Sequence, residues 1–341
     1  MLLKLTGKSI LTLSVLLKFV KNTNMSSDVV TNQVFILIIL AIIGVIASKA
    51  GLINESVKQG LSGIIFNITL PLLILSSLSD MELTGEVLFN GLLVLLFSFL
   101  ALALLYLTGT LSSRIMSLNS RATTIHIVHT MFGNIVFLGF PLIHVLFGNK
   151  GLLFAMLFHL CSNTMQWTLG VYLLTTDQNK NVLAGLKKLI NPNTLAFFLG
   201  LILMSLNWSM PDIFQKSLAG LGNTSLYLSM LYIGAVLSET TVKSLIGKFH
   251  VYILSINKLV LSPMLIFLVI SMILNITGWE MDAIALSVII MQSAMPCMVI
   301  IIIMAKKYGA DDVHASQNVL TSTLLSVFTL PLIILLLEKI L

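Results

Sequence analysis

Two clusters in this 341-residue chain have residue types and spacing that can do chemistry. One is Gly133-Asn134 within "FGNIVFLGFP", Phe132 to Pro141; the other is Gln292, Pro296 and Cys297 in "MQSAMPCMVIIIIM". Gly133 costs about 1 kcal/mol relative to Ala in a helix, and Pro141 removes a donor and clashes with the preceding turn. The Asn134 amide needs partners or water once it leaves bulk solvent. Pro296 interrupts its own segment, with Gln292 one turn before it and Cys297 just after. Two helices interrupted at one depth free backbone N–H and C=O groups, and their half-helix N-termini present partial positive charge. Such ends suit a carboxylate or another anion. The plainer alternative at each place is a kink accommodated by neighbouring helices.

Other polar residues carry two readings each. His126 and His129, three apart, have metal-type spacing, but no third or fourth ligand stands nearby, so a polar lining or hydrogen-bonded pair is the plainer reading. Lys258 in "INKLVLSP" is either a counter-charge to a substrate or a side chain that snorkels to the interface. Gln292 and Asn318 either line a cavity or bond helix to helix. Cys161 and Cys297 lack metal-type spacing, and no structural disulfide is expected of them.

The elements that hold these residues must cross a membrane. Of all residues 57% are apolar and 9% charged, against about 25% charged in an average soluble domain, and mean hydropathy is +1.04. The net charge of +6 is read as topological rather than as a nucleic-acid surface, because Lys and Arg gather in cytoplasmic loops and no basic patch is interleaved with aromatics. Apolar runs predict ten spans, near 33–50, 59–79, 87–112, 122–147, 151–175, 191–207, 214–238, 250–274, 283–304 and 313–337. Residues 1–32 form an N-terminal tail, and the polar stretch 176–190 is a cytoplasmic linker between a first repeat, 33–175, and a second, 191–337. Five helices per half give the halves opposite orientations, the inverted-repeat plan of many secondary transporters. The fold class expected is an all-α polytopic membrane protein. The segment from Phe147 laid over that from Tyr308 matches Gly148 with Gly309 and Thr168 with Thr329.

Connections after the odd-numbered spans carry eleven Lys and Arg, and the other side three, Lys150, Lys216 and Lys339. The bias places both ends of the ten-helix core outside the cytoplasmic membrane. The four lysines of residues 1–24 break the pattern. Translation from Met25 would explain them, as would an extra crossing or an interfacial helix.

"GNIVFLGFPLIHVLFG" is similar to the "GN-x-x-F-L-G-x-P-L" segment of bacterial auxin efflux carrier family permeases, which include malonate and related carboxylate permeases. "FNITLPLLILSSLS", "NPNTLAFFLGLIL", "LGNTSLYLSMLYIGAVLSE" and "MPCMVIIIIMAKKYGADD" with "VLTSTLLSVFTLPL" resemble further segments in collinear order, from about Met25 onward. The resemblance implies ten helices arranged as in plant PIN-type auxin carriers and bile-acid sodium symporters. The fourth and ninth would cross at broken midpoints beside the substrate. The first, second, sixth and seventh would form a scaffold, and the third to fifth with the eighth to tenth a moving transport domain. By the same resemblance Gly133 takes the place of a proline in the plant carriers, Asn134 contacts a substrate carboxylate, and Asn163, four residues before Trp167, joins it. Cys297 stands where the plant carriers have a polar amide, which argues against auxin itself and toward a different anion. The expected site is therefore Gly133, Asn134, Asn163, Gln292, Pro296 and Cys297.

The function expected is a permease for a small organic anion working by an elevator-type motion. A passive anion channel or a sensor on the same fold is the alternative. A membrane-embedded enzyme has no support in the motifs, since "GxSxG", "HExxH" and paired intramembrane aspartates are missing. No cofactor is expected; a coupling ion, sodium or proton, stays open, as does assembly into a homodimer.

Overall fold

The computed structural model describes residues 27–175, 187–238 and 249–340. The expected start at Met25 and most of the 176–190 linker lie outside the described residues. Within them the helices are α1 (Ser27–Lys49), α2 (Glu55–Ser79), α3 (Gly85–Ile115), α4 (Ser120–Met131), α5 (Ile135–Leu174) and α6 (Pro192–Ser205), followed by α7 (Asp212–Ser238), α8 (Phe249–Thr277), α9 (Ala283–Ser293), α10 (Ile300–Tyr308) and α11 (Asp312–Ile340). The first helix begins six residues before the expected span, because the polar Ser27–Asn32 stretch is helical as well.

Six helices, α2, α3, α5, α7, α8 and α11, are long and apolar enough to cross a bilayer; α6, α9 and Phe35–Lys49 of α1 are apolar but shorter. Ten apolar runs become six long helices because two runs are cut and two more, the first and the sixth, fall among the shorter apolar helices. The fourth run divides between α4 and the start of α5, and the ninth between α9 and α10. With 12 and 11 residues, α4 and α9 are each about 17 Å long, roughly half the hydrocarbon thickness. The fifth run continues α5, bent at Gly148, whose φ of 61° and ψ of −154° suit only glycine. Gly309, its partner in the sequence alignment, also has positive φ but a different ψ.

The starts of the half-helices are capped by short polar side chains. Asn119 accepts from Ala122 N at 2.9 Å, and Asp282 accepts from Ile284 N at 2.7 Å and Ala285 N at 3.3 Å. Gly133 stands fourteen residues after Asn119, and Pro296 fourteen after Asp282. The two breaks therefore fall at similar distances from their caps.

Three prolines follow wide π-turns. Pro71, Pro141 and Pro263 each stand two residues beyond one, at Ile65–Thr69, Ile135–Gly139 and Asn257–Leu261. A proline donates no hydrogen bond and crowds the carbonyl four residues back, and widening the turn relieves the clash. The wide turn leaves the carbonyl five residues before the proline without a helical donor. For Pro71 that carbonyl is Phe66 O, and the buried Asn193 of α6 donates to it at 3.2 Å.

Packing divides the helices into two groups. α7 lies along α1 and α2, and α6 along α2; α3, α4, α5, α8, α9, α10 and α11 pack chiefly on one another. The second group is tied by polar contacts. Lys150 reaches Asp282 at 2.6 Å and Glu86 at 3.1 Å, and Asp282 N donates to Asn90 Oδ1 at 2.7 Å, joining α3, α5 and α9. Outward faces are apolar, as with Leu88, Leu92, Leu96 and Phe99 along α3. In the first group α1 meets α7 through glycine: a Cβ on Gly234 would fall on the Ala41 carbonyl, whereas one on Gly220 would meet nothing within 4 Å. Gly234→Ala is expected to destabilise the protein by roughly 1–3 kcal/mol through overpacking. Gly220→Ala should leave stability unchanged or raise it by up to about 1 kcal/mol. Thermal unfolding of the purified protein in detergent checks the contrast.

Candidate functional site

The site is built on the two breaks, because each repairs the other. After α4 the chain is extended at Phe132 and pairs antiparallel with the chain after α9 through Gly133 and Cys297. Asn134 N donates to the Pro296 carbonyl at 2.7 Å, and Met298 N donates to the Phe132 carbonyl at 3.3 Å. A buried amide without an acceptor costs about 1–3 kcal/mol, so this exchange removes much of the cost of breaking two helices. The fit is close: a Cβ on Gly133 would lie 2.9 Å from the Met295 carbonyl oxygen and 3.0 Å from Met295 Cβ. Glycine is present for that approach.

Four helix ends converge here. α4 and α9 bring their carbonyl, partially negative ends; α5 and α10 bring their amide, partially positive ends. On the carbonyl side, the Cys297 thiol lies 3.8 Å from the His129 carbonyl, and Lys258 Nζ donates to the Met131 carbonyl at 3.4 Å. Cys297 N donates to Ser322 Oγ of α11 at 3.0 Å. On the amide side, the Gln292 side chain reaches from the last turn of α9 onto Gly139 in the first turn of α5. Gln292 is buried, and neither its Nε2 nor its Oε1 has a hydrogen-bond partner. The buried Asn134 side chain does not cap α5.

The expected site residues are all buried. Gly133, Asn134, Pro296 and Cys297 meet directly in the bridge, and Gln292 joins them across Gly139. Asn163 lies on α5, one turn before a further wide turn, Gln166–Gly170. That turn touches the break, because a Cβ on Gly170 would stand 3.0 Å from the Phe132 ring. The observed bridge pairs Gly133 with Cys297. Pro141 belongs to a wide turn shared in form with Pro71 and Pro263, a structural role.

His126 and His129 bond to different elements rather than converging. His126 Nε2 is 2.7 Å from Ser112 Oγ, and His129 Nδ1 is 3.3 Å from Asn318 Nδ2. Among the described residues no group of three or more His, Cys, Asp or Glu is placed to hold a metal. From Ser112 a polar chain runs on to Asn257 at 3.2 Å, Ser262 at 3.1 Å and Thr108 at 2.8 Å, joining α3, α4 and α8. Lys258 does not snorkel: it is fully buried. Ser322 went unnoticed in the sequence, because a serine in an apolar helix has no signature until its partner is known.

Two cavities flank this region. A crevice of about 70 Å³ separates Leu37, Ala41, Met230 and Ile233 of α1 and α7 from Leu138, Leu142, Thr323 and Ser326 of α5 and α11. A polar pocket of about 580 Å³ lies at the capped start of α4, lined by Asn119, His250, Asp311, His314 and Gln317 among others. Replacing Ser322 with Ala strands the buried Cys297 amide. It is expected to lower stability by about 1–3 kcal/mol, measured as a fall in unfolding temperature, while Ser322→Thr retains most of it.

A family profile described as "Membrane transport protein" matches residues 29–334. An uncharacterized transporter of Methanocaldococcus jannaschii is 26% identical over 306 residues, covering 88% of this chain and 96% of the relative. An uncharacterized transporter of Methanothermobacter thermautotrophicus is 25% identical over 310 residues, covering 89% and 96%. Relatives matched over nearly their whole length, and a profile spanning both helix breaks, make this chain a member of the membrane transport protein family, the auxin efflux carrier family its sequence resembles.

Proposed function

We propose that this membrane transporter carries a small organic anion, a carboxylate, by an elevator-type motion. The observation that carries the reading is the mutual repair of the two breaks through the Asn134 N to Pro296 carbonyl bond at 2.7 Å. Broken spans in corresponding positions are a feature of transporter binding sites, and the amide ends of half-helices favour an anion. The amides of Asn134 and Gln292 supply neutral donors beside the first turn of α5, and Asn163 adds a third from the same long helix. Main-chain amides at a helix start hold a carboxylate without requiring a charged side chain.

In this reading α1, α2, α6 and α7 are the fixed scaffold, and α3–α5 with α8–α11 move as the transport domain. The ten expected spans form two inverted repeats; the similar distance from cap to break in α4 and α9 supports that relation. The orientation follows the Lys and Arg bias, with both ends outside the cytoplasmic membrane. Saturable flux and counterflow exchange separate this carrier from a channel on the same fold.

The test is a thermal-shift screen of the purified protein against mono- and dicarboxylates, with and without sodium, at two pH values. A ligand at 100 times its Kd stabilises the folded state by about 2.7 kcal/mol. At least one carboxylate should raise the unfolding temperature. Asn134→Ala should abolish that rise and leave the ligand-free unfolding temperature unchanged. A rise that needs sodium identifies the coupling ion, and a screen in which no carboxylate stabilises the wild type refutes the anion reading.

A further inference from the structure

Lys258 has 0% exposure on the wide turn of α8, and nothing in the resting structure balances its charge. Among the described residues its ammonium makes one hydrogen bond, at 3.4 Å to the Met131 carbonyl, and no ion pair. An ammonium has three donors, and one buried without a counter-charge is costly in protein and costlier in a membrane. Met131 ends α4, so its carbonyl offers only the partial negative charge of a helix end. The Cys297 thiol already contacts the neighbouring His129 carbonyl, so the broken end of α4 has another donor. The ionisable side chains that act on it are His129 and Cys297, neither a carboxylate. The acids at the head of α11 are Asp312, its first residue, and Asp311 just before it, which lines the polar pocket.

Position makes this unbalanced charge useful. Three residues separate Met131 from Asn134, a span of at most about 10 Å. Lys258 Nζ, on a flexible four-carbon stem, therefore lies within a short swing of an anion seated between Asn134 and the first turn of α5.

We infer that Lys258 is the resident counter-charge of the transported anion, resting on the broken end of α4 when the site is empty and turning to the carboxylate when it fills. The inference rests on the carboxylate reading above and adds the source of charge selectivity. Neutral donors such as Asn134 and Gln292, with the partial charge of a helix start, favour a carboxylate only modestly and still tolerate an uncharged amide. A buried lysine does not, because a neutral ligand leaves its charge unpaired.

The experiment measures binding by calorimetry to the full-length protein in detergent, using acetate, malonate, succinate and benzoate, each beside its uncharged amide. The wild type should prefer a carboxylate over its amide by at least 100-fold. Lys258→Gln keeps a donor for the Met131 carbonyl but removes the charge, so it should lose that preference with amide affinity unchanged. Lys258→Met should do the same, and Lys258→Arg should stay within tenfold of the wild type. If Lys258→Gln keeps the wild-type ratio, or loses acid and amide equally, Lys258 only caps α4 and the inference fails while the carboxylate reading stands. A wild type that binds acid and amide alike also overturns it, without any variant. If no carboxylate binds the wild type, the carboxylate reading falls and takes this one with it.

Discussion

Backbone hydrogen bonding leaves little freedom inside a bilayer. An amide or carbonyl turned loose in hydrocarbon has no water to meet, so a helix is broken there only where protein supplies the missing partner. Here the partner of each break is the other. Phe132 and Asn134 exchange main-chain bonds with Met298 and Pro296, and the approach is close enough that Gly133 has no room for a side chain. Much else follows from that exchange. It sets α4 and α9 to half a bilayer in length, and it directs two amide ends and two carbonyl ends to one depth. It also leaves a carbonyl end of α4 that draws in both Cys297 and Lys258.

The surroundings of the bridge differ in kind from side to side. Toward α3, α8 and α11 the contacts are polar and directional: Ser322 beneath Cys297, Asn318 beside His129, and the chain from Ser112 to Thr108. Hydrogen bonds of this sort fix register, since moving one partner strands the other. Toward α1 and α7 the facing residues around the crevice are Leu37, Ala41, Met230 and Ile233, which make no such bonds. An apolar surface slides past another at small cost, because each new position offers similar dispersion contacts. The polar ties thus bind the bridge to one group of helices, while the seam toward the other group is apolar.

Chemistry that contradicts its setting was legible in the sequence. Glycine, asparagine and proline in runs that should be uniformly apolar marked both breaks, and their partnership followed from the two-halves pattern. Pairing was less legible: the bridge joins Gly133 to Cys297, and short extended segments carry no periodicity from which to count such a partner. Faces were illegible for a different reason. Lipid is as apolar as a protein core, so Leu93, buried, and Leu92, exposed, look alike in α3. The glycine contact of α1 with α7 was hidden likewise, since Gly220 and Gly234 are equivalent letters until a neighbour is known. Lys258 was ambiguous between interface and interior, and only burial decided it.

The seam is not fully packed. A crevice of about 70 Å³ has room for a handful of waters between α5 and α11 on one side and α1 and α7 on the other. None of the bridge residues lines that crevice; its walls on the α5 and α11 side are Leu138, Leu142, Thr323 and Ser326. The 580 Å³ polar pocket at the start of α4 lies about 18 Å of helix away from the bridge. What separates the two is α4 itself, with His126 and His129 buried along its length. The seam is apolar and weakly directional, whereas the opposite side holds the bridge by hydrogen bonds from Ser322 and Asn318.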